Sequence, residues 1–282
     1  MSVRVGVLDV GSNTIKLLVA DVSGDRLVPV DTGKVRLGLG AEIERYGAVS
    51  TTSIHAVAKA VSKLRGLAAS HGVEDVDVFL TAPGRQAENA AELVAALEGA
   101  RVLTTEEEGR LAYRGAVATA DVELPESIAV CDVGGASTEI AVGAPVDDPR
   151  WIESVDIGSV RLATRTSTIA EAHEEAATAL AAVFPPSVSA ALATGGTARA
   201  TRRLVGPYLG AAELAEALHL CETLPPRELS KRFGVDRERA EILDGGIAIL
   251  TQVQGLLGVP LQVCDGGIRE GAVLTRRAAL AA

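Results

Sequence analysis

Four short stretches of this chain share one plan. "DVGSNT" at 9–14, "DVGGAST" at 132–138, "ATGGTAR" at 193–199 and "CDGGIREG" at 264–271 each end an apolar run in a glycine turn. Glycine leaves backbone N–H groups open to a ligand with no side chain between, and a helix starting behind such a turn adds a dipole that favours anions. One such turn is more often plain strand-to-helix packing. Four at strand ends, two of them mirrored, point to a phosphate-binding crevice. Asp9 and Asp132 put carboxylates where phosphate would approach. A magnesium ion resolves that conflict, because it takes a few carboxylates together with waters and phosphate oxygens. On this reading the glycines and hydroxyls of 134–138 hold phosphate, and Asp132 holds the metal that neutralises it.

Hydrolysis also needs a group that orients and deprotonates water. His55, His71, His173 and His219 are scattered over positions that suit ordinary helix or loop sites, so a carboxylate is the candidate base. "TTEEEGRLAYRG" offers Glu106, Glu107 and Glu108 at a strand-to-helix junction, and Glu139 lies on the strand leaving the second turn. The three glutamates equally suit the positive end of a helix, and alone they would be read that way. Arg199, Arg202 and Arg203 fall at i, i+3, i+4 on one side of a helix, and "RELSKRFGVDRER" adds a base-rich run. Both fit a solvated helix face as well as a guide for a polyanion.

Strands first, then alternating strands and helices, must hold these groups. Val3 to Asp9 reads as a buried strand with a hairpin partner from Ile15 to Val22, and "RLVPVDTGKVRLG" continues in β fashion. Helical spacing of apolar residues from Ser53 to His71 predicts a helix with Ser53 as N-cap and Gly72 as its stop. A strand "VDVFLTA", a helix over Arg85 to Leu97, a strand at Ala100 to Thr104 and a helix from Glu106 to Val117 follow. The plan then restarts: "SIAVCDVGG" and "STEIAVG" form a second hairpin and "WIESVDIG" a third strand, a weak internal repeat that matches Asp9-Val10-Gly11 to Asp132-Val133-Gly134. A helix over "TSTIAEAHEEAATALAAVF", a strand at "SAALATGG", a helix-rich stretch from Ala211 to Gly258 and a final strand, turn and helix complete the chain. The boundary falls near Ala120 to Pro125, giving domains at 1–122 and 123–282.

The 282 residues are enough for two domains with real cores. Hydrophobic residues make up 48% and aromatics 2%, so the interior must be aliphatic, and stacking platforms for single-stranded nucleic acid are disfavoured. A net charge of -10 argues against general nucleic-acid affinity. Cys131, Cys221 and Cys264 are widely spaced and suggest neither a disulfide framework nor a zinc site, so a reducing cytosol is the simplest home. No segment approaches the roughly 20 uncharged residues that a bilayer requires.

"GVLDVGSNTIKLLVADV", "LTAPGRQAENA", "EEEGRLAYRGA", "CDVGGASTEIAVG", "DIGSVRL", "ATGGTARA" and "VCDGGIREG" together resemble the exopolyphosphatase and guanosine pentaphosphate phosphohydrolase (Ppx/GppA) family over nearly the whole chain. The resemblance implies an α/β fold of two RNase H-like domains in the actin-like ATPase superfamily, with a cleft between them. It implies release of terminal phosphate from inorganic polyphosphate, or of the 5'-phosphate of guanosine pentaphosphate, with Mg2+, by a homodimer. Carried over by position, the catalytic glutamates are Glu108 and Glu139. The metal-side acids are Asp132 and Asp9, joined by Glu139. The phosphate-binding positions are Gly11, Ser12, Asn13 and Thr14, then Gly134, Gly135, Ala136 and Ser137, with Arg85 matching the arginine that follows the family's strand. Three departures stand out. Ala136 replaces a common third glycine and is expected at negative φ, Lys16 stands at a variable position, and "LTTEEE" leaves Glu107 a competitor for the base. The chain stops soon after "DGGIREG", as the short two-domain form does, which favours short polyphosphate chains. A kinase of the same superfamily and a non-catalytic sensor of polyphosphate or guanosine tetraphosphate remain the competing readings.

Overall fold

The computed structural model describes residues 2–24 and 26–281. Its first half opens with the hairpin β1 (Val3–Val10) and β2 (Thr14–Ser23), continued antiparallel by β3 (Arg26–Arg36). Then come α1 (Leu39–Tyr46), α2 (Thr51–Ser70), β4 (Val76–Leu80), α3 (Ala82–Gln86), α4 (Ala90–Ala95), β5 (Arg101–Val102) and α5 (Thr105–Ala118). The sheet order is β3-β2-β1-β4-β5, with β4 and β5 parallel to β1.

The second half repeats the opening. β6 (Ile128–Val133), β7 (Thr138–Gly143) and β8 (Trp151–Val155) run antiparallel, followed by α6 (Ser159–Arg165), α7 (Ile169–Leu180), β9 (Ala190–Thr194), α8 (Gly195–Val205) and β10 (Tyr208–Leu209). The helices α9 (Ala211–Thr223), α10 (Pro226–Phe233), α11 (Arg237–Ala240) and α12 (Leu243–Leu257) lead to β11 (Leu261–Val263) and α13 (Ile268–Ala281). The sheet order here is β10-β11-β9-β6-β7-β8, with β9 parallel to both β6 and β11. This is the two-sheet α/β architecture with a cleft that the sequence leads one to expect.

Aliphatic packing explains why these layers hold. One face of the first sheet, including Leu8, Val10, Leu17 and Val19, packs on Ile54, Val57, Val61 and Leu64 of α2. Val5, Val7, Leu18 and Phe79 on its other face meet Ala272 and Val273 of α13. Tyr113 and Ala116 of α5 lie instead on Ile128, Val130 and Ala141 of the second sheet. β1–β5 all precede residue 122 and β6–β11 follow it, whereas these two helices cross over. They pack closely on each other, with Gly115 against the Gly267 carbonyl and Gly271 against the Leu111 carbonyl, where no side chain would fit.

Several sequence expectations need correction. The long helix in the first half starts at Thr51, and Ser50 caps it by accepting the Ser53 N–H at 3.2 Å. The helix expected over Arg85 to Leu97 is two short ones, α3 and α4, because Ala87 is extended and Asn89 exchanges hydrogen bonds with the backbone of Val49 (2.8 and 3.0 Å). The strand over Ala100 to Thr104 shrinks to Arg101–Val102. α1 and α6 were not foreseen. No helix among the described residues is long and apolar enough to cross a membrane.

Candidate active site

The two hairpin tips have the same construction. Gly11 N–H donates to Thr14 O at 3.1 Å, and Gly134 N–H donates to Ser137 O at 3.0 Å. Behind each tip a helix N-terminus holds its carbonyls. Gly40 N–H reaches Ser12 O (2.6 Å) and Leu37 and Gly38 N–H reach Asn13 O, while Ser159 N–H binds Gly134 O and the N–H groups of Val160 and Arg161 bind Gly135 O. With the carbonyls tied back, the N–H groups of Ser12, Asn13, Gly135 and Ala136 have no backbone partner among the described residues, and all four residues line one cavity. Such unpaired, converging amides form an anion cradle.

The tips meet closely at Gly135: a Cβ there would lie 3.1 Å from Ser12 Cβ and 3.2 Å from Val160 Cγ2, and the neighbours would have to give by a few tenths of an ångström. Gly195, at the start of α8, has φ +89 and seats its turn directly against the Asp132 carboxylate. Ala136 adopts no positive φ, since no residue other than glycine does among those described.

The same register places unlike chemistry on the two hairpins. Asp9 pairs with Lys16 across β1 and β2, and Asp132 pairs with Glu139 across β6 and β7. The repeat is thus symmetric in backbone and asymmetric in charge. Asp9, Lys16, Asp132, Glu139 and Glu108 all face the cavity, whose volume is about 90 Å³. That lies well below the ~300 Å³ at which sites for drug-sized ligands begin, so the cavity accepts a small group. All of the expected turn residues, Gly11 to Thr14 and Gly134 to Ser137, line it.

Glu108 and Glu107 separate cleanly. Glu107 is committed to a capping box, taking the Thr104 N–H at 2.8 Å while its own N–H donates to Thr104 Oγ1 at 3.1 Å, and Glu106 pairs with Arg110 at 2.6 Å on the surface. Glu108, one residue on, turns inward and is 5% exposed. Arg85 does not line the cavity. It sits behind Glu108, with Nη2 2.8 Å from Glu108 Oε2 and Nη1 donating to Leu103 O at 2.8 Å.

Burial drives the acid-base character of this cluster. It raises the Asp9 and Asp132 carboxyls, with Lys16 opposing the rise in both. Glu108 is held well above the usual range by burial and then by the charge of Glu139, with Arg85 pulling the other way. Glu139 is pushed up to about 7 by burial and by Asp132, against its hydrogen bonds with Ser137 and Ser154. Desolvation takes Lys16 down to about 8. Asp9 Oδ1 is buried without a hydrogen-bond partner, as expected of an oxygen reserved for a cation or donor. No three His, Cys, Asp or Glu side chains among the described residues gather as a metal cage. Asp9 Oδ1 nevertheless has the chemistry of a cation ligand, and a hard cation that keeps several waters, as magnesium does, would need few such ligands.

The cavity opens into a side cleft of about 330 Å³. Lys16, Arg199, Arg239 and Arg269 line both spaces and form the throat, and Lys34, Arg36, Arg202 and Arg203 stand further out with Asp236 the one carboxylate in the wall. Neither lining contains an aromatic residue. Arg199 and Arg202 are steadied by Asp265 (3.1 and 2.7 Å) and Arg203 by Gly234 O, so the three arginines expected along one helix side do face one space. Arg239, Arg269 and the cavity-lining Glu270 escaped sequence reasoning. The base-rich run that ends at Arg239 and the glycine turn "CDGGIREG" that contains Arg269 and Glu270 were the available signals.

The sequence profile of the Ppx/GppA phosphatase family matches residues 18–278. "Exopolyphosphatase 1" of Mycobacterium tuberculosis is 26% identical over 97% of this chain and 88% of its own length. "Exopolyphosphatase 2" of the same organism is 35% identical over 57% of this chain and 54% of its own. The crystal structure of the Ppx/GppA family member of Aquifex aeolicus superposes with a TM-score of 0.82 at 25% identity, covering 99% of both chains. With matches spanning nearly its whole length and two acid-and-glycine turns meeting at one cavity, the chain belongs to the Ppx/GppA phosphatase family and is a phosphoanhydride hydrolase.

Proposed function

We propose that this chain is an exopolyphosphatase that removes terminal orthophosphate from inorganic polyphosphate, short chains above all, by metal-assisted attack of water. The observation that carries this reading is the opening of an acid-lined cavity, sized for one small group, into a cleft with eight cations and one carboxylate. A linear polyanion matches that sequence of charges. A guanosine nucleotide finds no aromatic partner for its base in either wall.

The terminal phosphoryl group lies between the tips, with the amides of Ser12, Asn13, Gly135 and Ala136 on its oxygens. Glu108 accepts a proton as water oxygen bonds to phosphorus and the bridging P–O bond breaks, leaving a chain shorter by one phosphate. Its raised proton affinity suits that task, and Arg85 fixes its position. Asp9 and Asp132 would hold a magnesium ion whose other places go to waters and phosphate oxygens, and the ion would supply charge neutralisation on the phosphoryl oxygens. Lys16 and the throat arginines hold the next phosphates, and catalysis is mainly positioning and electrostatic stabilisation.

The test is phosphate release with magnesium from polyphosphates of defined length, beside guanosine pentaphosphate and beside ATP with a small acceptor. Release from polyphosphate, lost when Arg199, Arg202 and Arg203 are replaced and sensitive to salt, is the expected result. Preferential turnover of the guanosine nucleotide, or transfer from ATP, would overturn the assignment.

A further inference from the structure

The cross-strand register draws a path out of the cavity. Asp9 pairs with Lys16 and Lys16 pairs with Lys34, so the three side chains form one row on one face of the first sheet. Two strand spacings, about 10 Å, separate its ends. Arg36 lies beside that row, opposite Thr14. Along this path the throat cations Lys16, Arg199 and Arg239 have no carboxylate partner among the described residues, whereas Lys34 and Arg36, the two outer cations that the first sheet carries, are taken. Lys34 Nζ lies 2.6 Å from Asp236 Oδ2, and Arg36 Nη1 lies 2.9 Å from Glu238 Oε2. Both acids belong to the second half, at the start of α11, so each pair bridges the cleft mouth. The side chains of Asp236 and Glu238 are 60% and 62% exposed, and ion pairs in that setting are weak.

We infer that Asp236 and Glu238 are an acidic latch that occupies the outer cation sites in place of the distal phosphates of a long substrate, and so sets the chain-length preference. The inference rests on the cavity being a polyphosphate site. A short chain reaches only the free throat cations and leaves the latch closed. A longer one must displace both carboxylates from Lys34 and Arg36 before gaining those contacts. The latch therefore lowers the advantage that length would otherwise bring.

The test is the double variant Asp236→Asn/Glu238→Gln in the full chain, against tripolyphosphate and long-chain polyphosphate. Removing two exposed pairs should lower KM for the long chain about fivefold, leaving kcat and the tripolyphosphate KM unchanged. Lys34→Ala/Arg36→Ala should raise the long-chain KM by a larger factor than the tripolyphosphate KM. A variant whose long-chain KM is unchanged or higher, or whose two substrates shift together, overturns the latch. Should the unaltered protein release no phosphate from any polyphosphate, the functional reading fails, and equilibrium binding of long-chain polyphosphate without magnesium still decides the latch. Tighter binding by the double variant supports it, and equal or weaker binding refutes it.

Discussion

The contact between Arg85 and Glu108 can be tested apart from turnover. Both partners are largely desolvated, with 18% and 6% of their side chains exposed. Replacing Arg85 by Met keeps most of the volume and removes the cation. Two contacts vanish at any pH, the ion-pair contact with Glu108 and the hydrogen bond to Leu103 O, and a hydrogen bond of the latter kind contributes about 1 kcal/mol. The rest depends on ionisation. Glu108 already has a raised folded-state pKa, so it takes up protons on folding, and its favourable share of stability is complete below the unfolded value and lost as pH rises through the folded one. Without Arg85 the folded pKa rises further. Where the parent would ionise Glu108, the variant must keep it neutral or bury a charge with no partner, a penalty of about 1.4 kcal/mol per pH unit that grows towards the ~3–5 kcal/mol known for broken buried pairs. Urea unfolding in the presence of a metal chelator should show a loss of ~1–2 kcal/mol while Glu108 is neutral, rising to ~3–5 as pH climbs through its raised folded-state value. Adding Glu108→Gln should flatten that rise. A loss that stays level across the range, or shrinks as pH climbs, would refute the pairing.

Four further outcomes follow from the geometry. Glu108→Gln should keep its fold and lose about 10²–10⁴-fold in phosphate release, while Glu107→Ala should lose about 1 kcal/mol of stability through its capping box with activity kept, and a paired activity and melting measurement tells them apart. Gly195→Ala forces a side chain into the left-handed region and against Asp132, so denaturant titration should register a loss of ~1–3 kcal/mol. Arg239 is lowered to about 10 by burial and by the charges of Arg36 and Arg199. Arg239→Met should therefore fold at least as stably as the parent while binding polyphosphate more weakly, measured by equilibrium titration. All three cysteines are free, burial pushes the thiol of Cys131 upward, and Cys221 and Cys264 rise to about 12. A disulfide reagent at neutral pH should find them inert until urea is added.

The strands and both tips were readable in the sequence because their signals are local. Continuous aliphatic runs mark central strands, and the break from Val10 or Val133 into glycine marks where they stop. The shared Asp-Val-Gly spacing was enough to superimpose the two hairpins. What escaped depends on partners distant in the chain. Four consecutive hydroxyl residues, Ser50 to Ser53, could each cap a helix, and only Ser50 is placed to do so. The split between α3 and α4 comes from Asn89 bonding to Val49, forty residues earlier. "GSVRL" becomes helical against the carbonyls of Gly134 and Gly135, not through its own pattern. Arg85 was read as a phosphate ligand by position, yet its guanidinium serves Glu108, a distinction visible only in three dimensions. Arg239 reaches the throat because α11 turns back over Gly196, against which its guanidinium lies.

The crossing of α5 and α13 governs the order in which the molecule can be completed during synthesis. A nascent chain halted ahead of Ile268 would leave Val5, Val7, Leu18 and Phe79 without Ala272 and Val273, because the helix that seals them belongs to the other half of the sequence. The first sheet must wait for α13 before it is covered on both sides. Closure over such a span of sequence is intrinsically slow, and the interval is when the unfinished chain is most open to aggregation and to chaperones.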